Sequence, residues 1–339
     1  MTRVLVPEQI DGAVPWLGAR TQRLRGESMG TGWQVLWVDR DATRQPEVRA
    51  AVEAELGLVV QQMSTWLPSS ALERFNDAAP GTRHALPEAL AEVLQAGLWL
   101  AEVSGGAFNP AAGALVNLWG FGPAPRYSDP GFAPPAPEAV AAALTRCDWR
   151  ALQFDAQARE ATQPGGLRLD FSAIAKGHAV DRVAQRLRAM GIEHALVEVG
   201  GELRGHGLRP DGMPWWVDLE CPPVASGQAT PRATRVALHG LSVASSGDYR
   251  RVYLVQGERL AHTIDPRSGR PVAHGLASVS VLHRDCLWAD AWSTALTVLG
   301  REHGLALAES QGIAALFVQR EADGCLTETL TSALSRLAG

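Results

Sequence analysis

Residues 169–181 read LDFSAIAKGHAVD and carry the strongest local signal in the chain. The second half of this segment has the pattern of an amphipathic helix. Asp170 and Ser172 precede that helix, where their side chains can cap unpaired N–H groups. A helix start also attracts anions, and Lys176, the one lysine among 31 basic residues, lies in its first turn. The segment therefore predicts either a capped helix start or a contact with a phosphate or ribose.

The composition is that of a globular protein, with 46% hydrophobic and 20% charged residues over 339 positions. The net charge of −5 gives no reason to expect nucleic acid or an anionic membrane as a partner. Four widely spaced cysteines predict neither a zinc site nor a disulfide framework. No apolar run reaches the ~20 residues of a transmembrane segment. With no export signal visible, we expect a cytoplasmic protein, or a periplasmic one if such a signal was removed.

Helix and strand patterns are interspersed without regular β-α-β alternation, which favours a mixed α+β fold over a doubly wound sheet. Helices are predicted over residues 46–63, 87–104, 138–145, 175–190 and 288–299. Strands are predicted over residues 33–38, 195–199, 215–220, 234–238, 252–255, 277–282 and 314–318. Residues 123–137 contain six prolines and predict a long surface loop. We treat residues 1–25 as an N-terminal extension and 26–335 as one domain, whose proline-rich loop could separate two lobes.

Two further segments contain residues suited to chemistry. In HTIDPRSG, residues 262–269, His262 follows a predicted strand, and a lone histidine there is either structural or a base. Asp290 and Thr294 are four residues apart, so they share one face of a predicted helix. Their oxygens suit Mg²⁺, although taken alone a helix N-cap explains them as well. The Walker A and Rossmann glycine patterns are absent, so a nucleotide enzyme here needs another scaffold.

Three shorter segments place small residues beside an aromatic ring: residues 29–33, 63–76 and 105–110. In order and spacing, all six segments resemble the FAD:protein FMN transferases, the ApbE family, from about Met29 to Val318. Residues 115–122, 197–202 and 245–249 extend the likeness. It implies an α+β, T-fold-like architecture of two intimately packed lobes with the nucleotide site between them.

The resemblance also implies the reaction. The FMN moiety of FAD would be transferred, with Mg²⁺, to a threonine or serine hydroxyl of an acceptor flavoprotein carrying a Ser/Thr-Gly-Ala-Thr-type motif, and AMP would be released. Two alternatives remain open at this point: an Mg²⁺-dependent FAD pyrophosphatase that gives free FMN and AMP, and a non-catalytic FAD-binding protein.

Carried over by position, the resemblance implies an FAD site formed by Met29, Trp66, Ala107, Phe108, Asn109, Asp170, Lys176 and Ile264. It assigns the metal to the backbone carbonyl of Ala173 with Asp290, Thr294 and the position of Ser293. Two residues depart from the family pattern. Asn109 stands where aspartate is usual, and Ser293 stands where many members have a second metal-binding aspartate. His262 is the candidate base, because an unperturbed histidine titrates near neutral pH.

Overall fold

The structure, a computed structural model, describes residues 2–10, 12, 14–224, 232–248, 252–255 and 258–338, of which 252–255 and 258–260 are described by their backbone alone. Tyr249, at the end of one family-like segment, lies outside these residues. The helices are α1 Gln45–Met63, α2 Ala71–Asn76, α3 Glu88–Val103, α4 Gly113–Leu118, α5 Pro137–Leu144, α6 Ala175–Ala189, α7 Cys286–Ser310 and α8 Ser332–Ser335.

The first nine strands are β1 Arg3–Leu5, β2 Arg20–Ser28, β3 Thr31–Asp39, β4 Arg83–Ala85, β5 Gln153–Asp155, β6 Glu160–Thr162, β7 Ala195–Val199, β8 Glu202–His206 and β9 Trp215–Asp218. The remaining strands are β10 Thr234–Leu238, β11 Leu241–Gly247, β12 Val252–Val255, β13 Glu258–Ala261, β14 Ile264–Asp265, β15 Arg270–Pro271, β16 Leu276–His283, β17 Ala314–Arg320 and β18 Leu326–Leu330. The chain divides into unit 1, residues 1–57, 176–247 and 275–339, and unit 2, residues 58–175 and 248–274. The proline-rich segment 123–137 therefore lies within unit 2.

Unit 1 is built on an eight-stranded sheet in the order β18-β17-β16-β11-β8-β7-β3-β2. All neighbouring strands in it are antiparallel. In β3, alternate residues Trp33, Val35 and Trp37 are buried, as expected of a strand with one face on a core. β16 is buried at every position except its last residue, because it is covered on both faces.

One face of this sheet is covered by α7, which packs on β11, β16 and β17. On the same sheet, Val38, Val243 and Val318 belong to a core that also contains Leu5 and Trp215 from the separate sheet β1-β10-β9. α7 is longer than the predicted helix 288–299. Its regular φ and ψ angles are interrupted at Gly300, where φ is 76° and ψ is 177°.

Unit 2 contains α2 to α5, the sheet β4-β6-β5 and the ribbons β12-β13 and β14-β15. Trp119 is buried in a cluster with Leu115, Val140 and Ile264. Its indole N–H donates to the carbonyl of Gly269 at 2.7 Å. One tryptophan thus joins the two chain segments of unit 2 by packing and by a hydrogen bond.

In the part of the chain that is described, none of the helices combines the length and the apolar character that crossing a membrane requires.

A buried histidine makes the stability of unit 1 sensitive to acid. His206 is 1% exposed, and its Nε2 lies 3.1 Å from the carbonyl oxygen of Ile192. Burial lowers the pKa of this imidazole from 6.5 to about 4. Between these values the unfolded chain binds a proton that the folded chain does not. The neutral imidazole of His206 therefore makes its full contribution to the free energy of unfolding above about pH 6.5. That contribution, about 3 kcal/mol, is lost as the pH falls towards 4.

Urea unfolding at a series of pH values measures this loss. His206→Gln keeps a donor for Ile192 without a group that titrates, so the free energy of unfolding should fall less steeply below about pH 6.5. The exposed His303 on α7 gives the matched control, His303→Gln, which should keep the slope of the parent chain. Equal slopes in all three proteins would contradict the prediction.

Candidate active site

A partly exposed lysine and two buried carboxylates form a cluster in unit 1. Lys176 lies in the first turn of α6, and its Nζ is 2.5 Å from Oε1 of Glu202 and 4.0 Å from Oδ1 of Asp290. Glu202 is 2% exposed and Asp290 is 3% exposed. Lys176 lies near the start of α6, Glu202 begins β8, and Asp290 lies near the start of α7. One strand end and two helix ends therefore place charged side chains close together.

The carboxylates of Glu202 and Asp290 both interact electrostatically with the ammonium of Lys176. Burial alone would lower the pKa of Lys176, but the charges of Asp290 and Glu202 outweigh it, and the pKa of the lysine is raised. Burial raises the pKa of Glu202 to about 7, with the charge of Lys176 acting in the opposite direction. Burial also raises the pKa of Asp290 against the charge of Lys176. The lysine is therefore protonated. Above the raised pKa values of the two carboxylates, the cluster carries one more negative charge than the lysine neutralises.

Asp290 is held by the close approach of α6 and α7. Its Oδ2 accepts a hydrogen bond from the backbone N–H of Gly177 at 2.9 Å. A Cβ at position 177 would lie 2.2 Å from the carbonyl oxygen of Cys286 and 2.8 Å from the Cβ of Asp290. Only glycine fits this contact without moving a backbone, which explains the small residue after Lys176.

The first turn of α7 is fixed by a carboxylate from α6. Asp181 accepts hydrogen bonds from the N–H groups of Cys286 and Leu287, both at 2.9 Å, and pairs with the guanidinium of Arg204. Asp181 thus satisfies donors that the helix itself leaves unpaired. The same contact sets the position of the turn that presents Asp290.

Three hydroxyl groups, two from α7 and one from β11, lie together one turn beyond Asp290. The Ser246 hydroxyl on β11 is 2.8 Å from that of Ser293 and 3.1 Å from that of Thr294. Ser293 is fully buried, and its hydroxyl also donates to the backbone carbonyl of Asp290 at 2.9 Å. The serine that replaces a family aspartate therefore has two protein partners, and Ser246 is a neighbouring oxygen that the sequence did not indicate.

In unit 2, Asp170 is fixed by backbone contacts on its own segment and on residues 109–113. Its N–H donates to the carbonyl of Pro110 at 2.8 Å, and its Oδ1 accepts from the N–H of Ser172 at 2.8 Å. The side chain of Asn76 pairs with both backbone groups of the preceding residue, Leu169, at 3.0 and 2.7 Å. Asn76 was not singled out from the sequence, although it ends the family-like segment 63–76.

Asn109 uses the one property that distinguishes it from aspartate. Its amide Nδ2 donates to the carbonyl of Cys147 at 2.8 Å, and its Oδ1 accepts from the N–H of Ala111 at 2.8 Å. An ionised aspartate has no donor for the first of these bonds. The departure from the family pattern therefore has a local structural reason. Ala107 and Phe108, the preceding predicted contacts, are buried.

The remaining unit 2 candidates differ in exposure. Trp66 is 51% exposed, and the guanidinium of Arg126 lies over its ring at 4.6 Å from the centroid. Ile264 is buried in the Trp119 cluster.

β13 ends directly before His262, whose ring meets that of Phe121 edge to face at 6.3 Å. Ala173 lies in the turn before α6.

Met29 lies in unit 1, at the hairpin that joins β2 and β3. Met29 and Gly30 both have positive φ, 55° and 70°, between the paired residues Ser28 and Thr31. This is the two-residue turn that matches strand twist, and it favours asparagine or glycine at both positions. A methionine is uncommon in this conformation, so turn formation alone does not explain the residue at position 29.

The structure thus brings Lys176, Asp290, Ser293 and Thr294 close to one another in unit 1. Within unit 2 it fixes Asp170 and Asn109 on adjoining segments. Sequence reasoning missed Glu202 and Ser246, although both lie in segments that resemble the family, because neither residue type stands out in a strand.

The sequence pattern of the ApbE family matches residues 29–317. The chain belongs to the ApbE family. An FAD:protein FMN transferase of Klebsiella pneumoniae (strain 342) is 36% identical over 307 residues, 90% of this chain and 86% of that protein. Among solved structures, the ApbE flavinyl transferase of Pseudomonas stutzeri in its apo form matches with a TM-score of 0.84 and 40% identity. That match covers 95% of this chain and 98% of the other. The ApbE flavin transferase of Vibrio cholerae matches with a TM-score of 0.84 and 32% identity, over 94% and 99%.

The α+β ApbE fold and the enzyme class expected from the sequence, a flavin transferase, are confirmed by these matches. Among the described residues of this ApbE chain, no three His, Cys, Asp or Glu side chains could together hold a metal ion. A divalent cation would therefore need hydroxyl, backbone or substrate oxygens beside Asp290. The hydroxyls of Thr294 and Ser246 fit a hard cation such as Mg²⁺, and so does Oδ1 of Asp290, which accepts no hydrogen bond from the described residues.

Proposed function

We propose that the chain transfers the FMN moiety of FAD to a threonine or serine hydroxyl of an acceptor flavoprotein, with Mg²⁺ as cofactor and AMP as the second product. The observation that carries this proposal is the cluster of Lys176 with the buried carboxylates Glu202 and Asp290 in a member of the ApbE family. Its cation and hard oxygen donors suit a metal-bound pyrophosphate. The alternatives of an FAD pyrophosphatase and an FAD carrier become outcomes of the test.

In this proposal Asp290, Thr294 and the carbonyl of Ala173 would hold Mg²⁺, with the position of Ser293 beside them. When bound, the metal would neutralise charge on pyrophosphate oxygens and so favour departure of AMP. Lys176 contributes a positive charge that attracts the same phosphate groups. The protein's own part is to place these charges before the substrate arrives, which lowers the cost of reorganisation during the reaction.

The proposed FAD contacts remain those expected from the family. In unit 1 they are Met29 and Lys176. In unit 2 they are Trp66, Ala107, Phe108, Asn109, Asp170 and Ile264. Trp66 suits stacking on a flat ring, because its ring is half exposed and already carries the planar guanidinium of Arg126. Asp170 suits a polar group of the nucleotide, since its backbone is fixed by Pro110.

His262 is the proposed base. The acceptor hydroxyl loses its proton to the imidazole while its oxygen bonds to the FMN-side phosphorus of FAD, and the bond from that phosphorus to the bridging oxygen breaks to release AMP. A positioned base typically accelerates such a step by about 10²–10⁴-fold. The position of His262 directly after β13, with its ring against Phe121, supports the role because both restrict the motion of the imidazole.

The test is direct transfer. The purified chain is incubated with FAD, Mg²⁺ and a flavoprotein subunit that carries a Ser/Thr-Gly-Ala-Thr-type motif, and the subunit is weighed by mass spectrometry. We expect the mass of FMN to be added to the subunit and one AMP to appear for each flavin. A subunit whose acceptor threonine is replaced by alanine should gain no mass, and His262→Ala should slow transfer without loss of FAD binding.

Other results would select a different activity. Free FMN and AMP formed at the same rate without acceptor would identify an FAD pyrophosphatase, with water as the nucleophile. Tight FAD binding with neither AMP nor adduct at high Mg²⁺ would identify a carrier.

A further inference from the structure

Glu202 holds the ammonium of Lys176 on one side of the cluster. The Nζ–Oε1 distance is 2.5 Å, whereas the nearest oxygen of Asp290 is 4.0 Å away. Glu202 begins β8, which is paired on both sides by β7 and β11, so its backbone is fixed by the middle of the eight-stranded sheet. The lysine, in contrast, is a flexible side chain in the first turn of α6.

The two oxygens of Asp290 are in different situations. Oδ2 accepts the N–H of Gly177 at 2.9 Å, which fixes the carboxylate plane. Among the described residues, the ammonium of Lys176 lies 4.0 Å from Oδ1, which is beyond hydrogen-bond distance. Oδ1 therefore keeps lone pairs available. If the lysine moved about 1 Å closer, it would form a hydrogen-bonded ion pair with Oδ1 and occupy it.

The second oxygen of Glu202 carries a further indication. Oε2 is buried and has no hydrogen-bond partner among the residues that the structure describes. A buried carboxylate oxygen without a partner is costly to keep. Glutamine would supply Lys176 with an acceptor but no charge, and the cost of burial would be smaller. A carboxyl group rather than an amide at this position is explained if Glu202 binds the ammonium more strongly than Asp290 does, in line with the distances of 2.5 and 4.0 Å.

We propose that Glu202 is a positioning residue that keeps Lys176 off Asp290, and so leaves the Asp290 carboxylate available to a divalent cation. The proposal rests on the proposed function, because it assumes a cation at Asp290. It assigns the two buried carboxylates different partners: the ammonium for Glu202 and the metal for Asp290. Without Glu202, the lysine would compete with the metal for the same oxygen.

The experiment measures Mn²⁺ binding to the full chain by electron paramagnetic resonance, without FAD or acceptor. Glu202→Gln should weaken Mn²⁺ binding by about 10-fold or more, because Lys176 then pairs with Asp290. The double variant Glu202→Gln with Lys176→Met should bind Mn²⁺ at least as tightly as the parent chain, since no ammonium remains to compete. Glu198→Gln on β7 is the matched control for the loss of one charge and should bind like the parent.

The double variant separates positioning from other roles. If Glu202 were itself a metal ligand, or simply needed for packing, removing the lysine as well would not restore binding, and the proposal would be overturned. Unchanged binding in Glu202→Gln alone would also overturn it. If Glu202→Gln does not fold, the neutral double variant still decides: binding weaker than that of the parent contradicts the proposal.

Failure of the proposed function gives a different result. A parent chain that binds Mn²⁺ but transfers no flavin leaves the role of Glu202 supported and refutes only the transferase reaction. A parent chain that binds no Mn²⁺ overturns the role of Glu202 together with the metal site.

Discussion

Replacing Asp290 by asparagine is expected to reduce flavin transfer by about 100-fold or more and to remove its dependence on Mg²⁺. Asparagine keeps the size of the side chain and can still accept the N–H of Gly177 through its oxygen. It removes the one carboxylate proposed to bind the metal, and the position of Ser293 supplies no second one. The measurement is the initial rate of AMP release over a range of Mg²⁺ concentrations, with acceptor present.

The matched control is Asp285→Asn, one turn earlier at the exposed start of α7. Asp285 pairs with Arg204 at 3.3 Å and has no proposed part in the metal site. The variant should keep the parent rate within about 2-fold, because Asp285 is half exposed and Arg204 keeps its pair with Asp181. An Asp290→Asn variant that keeps the parent's rate and Mg²⁺ dependence would exclude Asp290 as the metal ligand.

Gly177→Ala is expected to lower the free energy of unfolding by about 3 kcal/mol, the upper range for an overpacked core. The added methyl group would lie 2.2 Å from the carbonyl oxygen of Cys286, so α6 and α7 would have to separate. The separation would also break the hydrogen bond from residue 177 to Asp290. Stability is measured by urea unfolding, and Mn²⁺ affinity should fall in the same variant.

The control for this substitution is Gly57→Ala in α1. A Cβ there would meet nothing within 4 Å, so alanine should stabilise the protein by up to about 1 kcal/mol through its higher helix propensity. The two helical glycines should therefore change stability in opposite directions. If Gly177→Ala keeps the stability of the parent, α6 and α7 are not as close at residue 177 as the 2.2 Å distance to the Cys286 carbonyl requires.

The sequence predicted the elements whose side chains follow a clear period. Strands 195–199, 234–238 and 252–255 have the predicted bounds, and α6 differs from its prediction by one residue. β2 and β11 were not predicted. β2 is rich in arginine and β11 in serine, so neither shows apolar alternation. Their strand conformation comes from pairing within the large sheet, which is a tertiary effect.

The candidate site was predicted in part for a related reason. Lys176 and Asp290 each lie in a local pattern that a sequence shows. Glu202 is tied to Lys176 across 26 positions, and Asp290 to Gly177 across 113. No local period encodes such contacts. From the sequence, Asn109 was a departure from the family pattern without a reason, whereas its bond to Cys147 gives it a structural one.

The pairing of β3 with β7 has a consequence for how the chain reaches its native state. β2 and β3 form a hairpin early in the sequence, but β7, the other neighbour of β3, follows only after α1 to α6. At ordinary rates of protein synthesis, β7 would be made on the order of 10–30 s after β3, and until then one edge of β3 is unpaired. Such an edge invites wrong pairing, and its high contact order also slows folding. The arginines of β2 disfavour wrong pairing at the β2 edge of the hairpin. The β3 edge is therefore where a nascent chain would most need a chaperone.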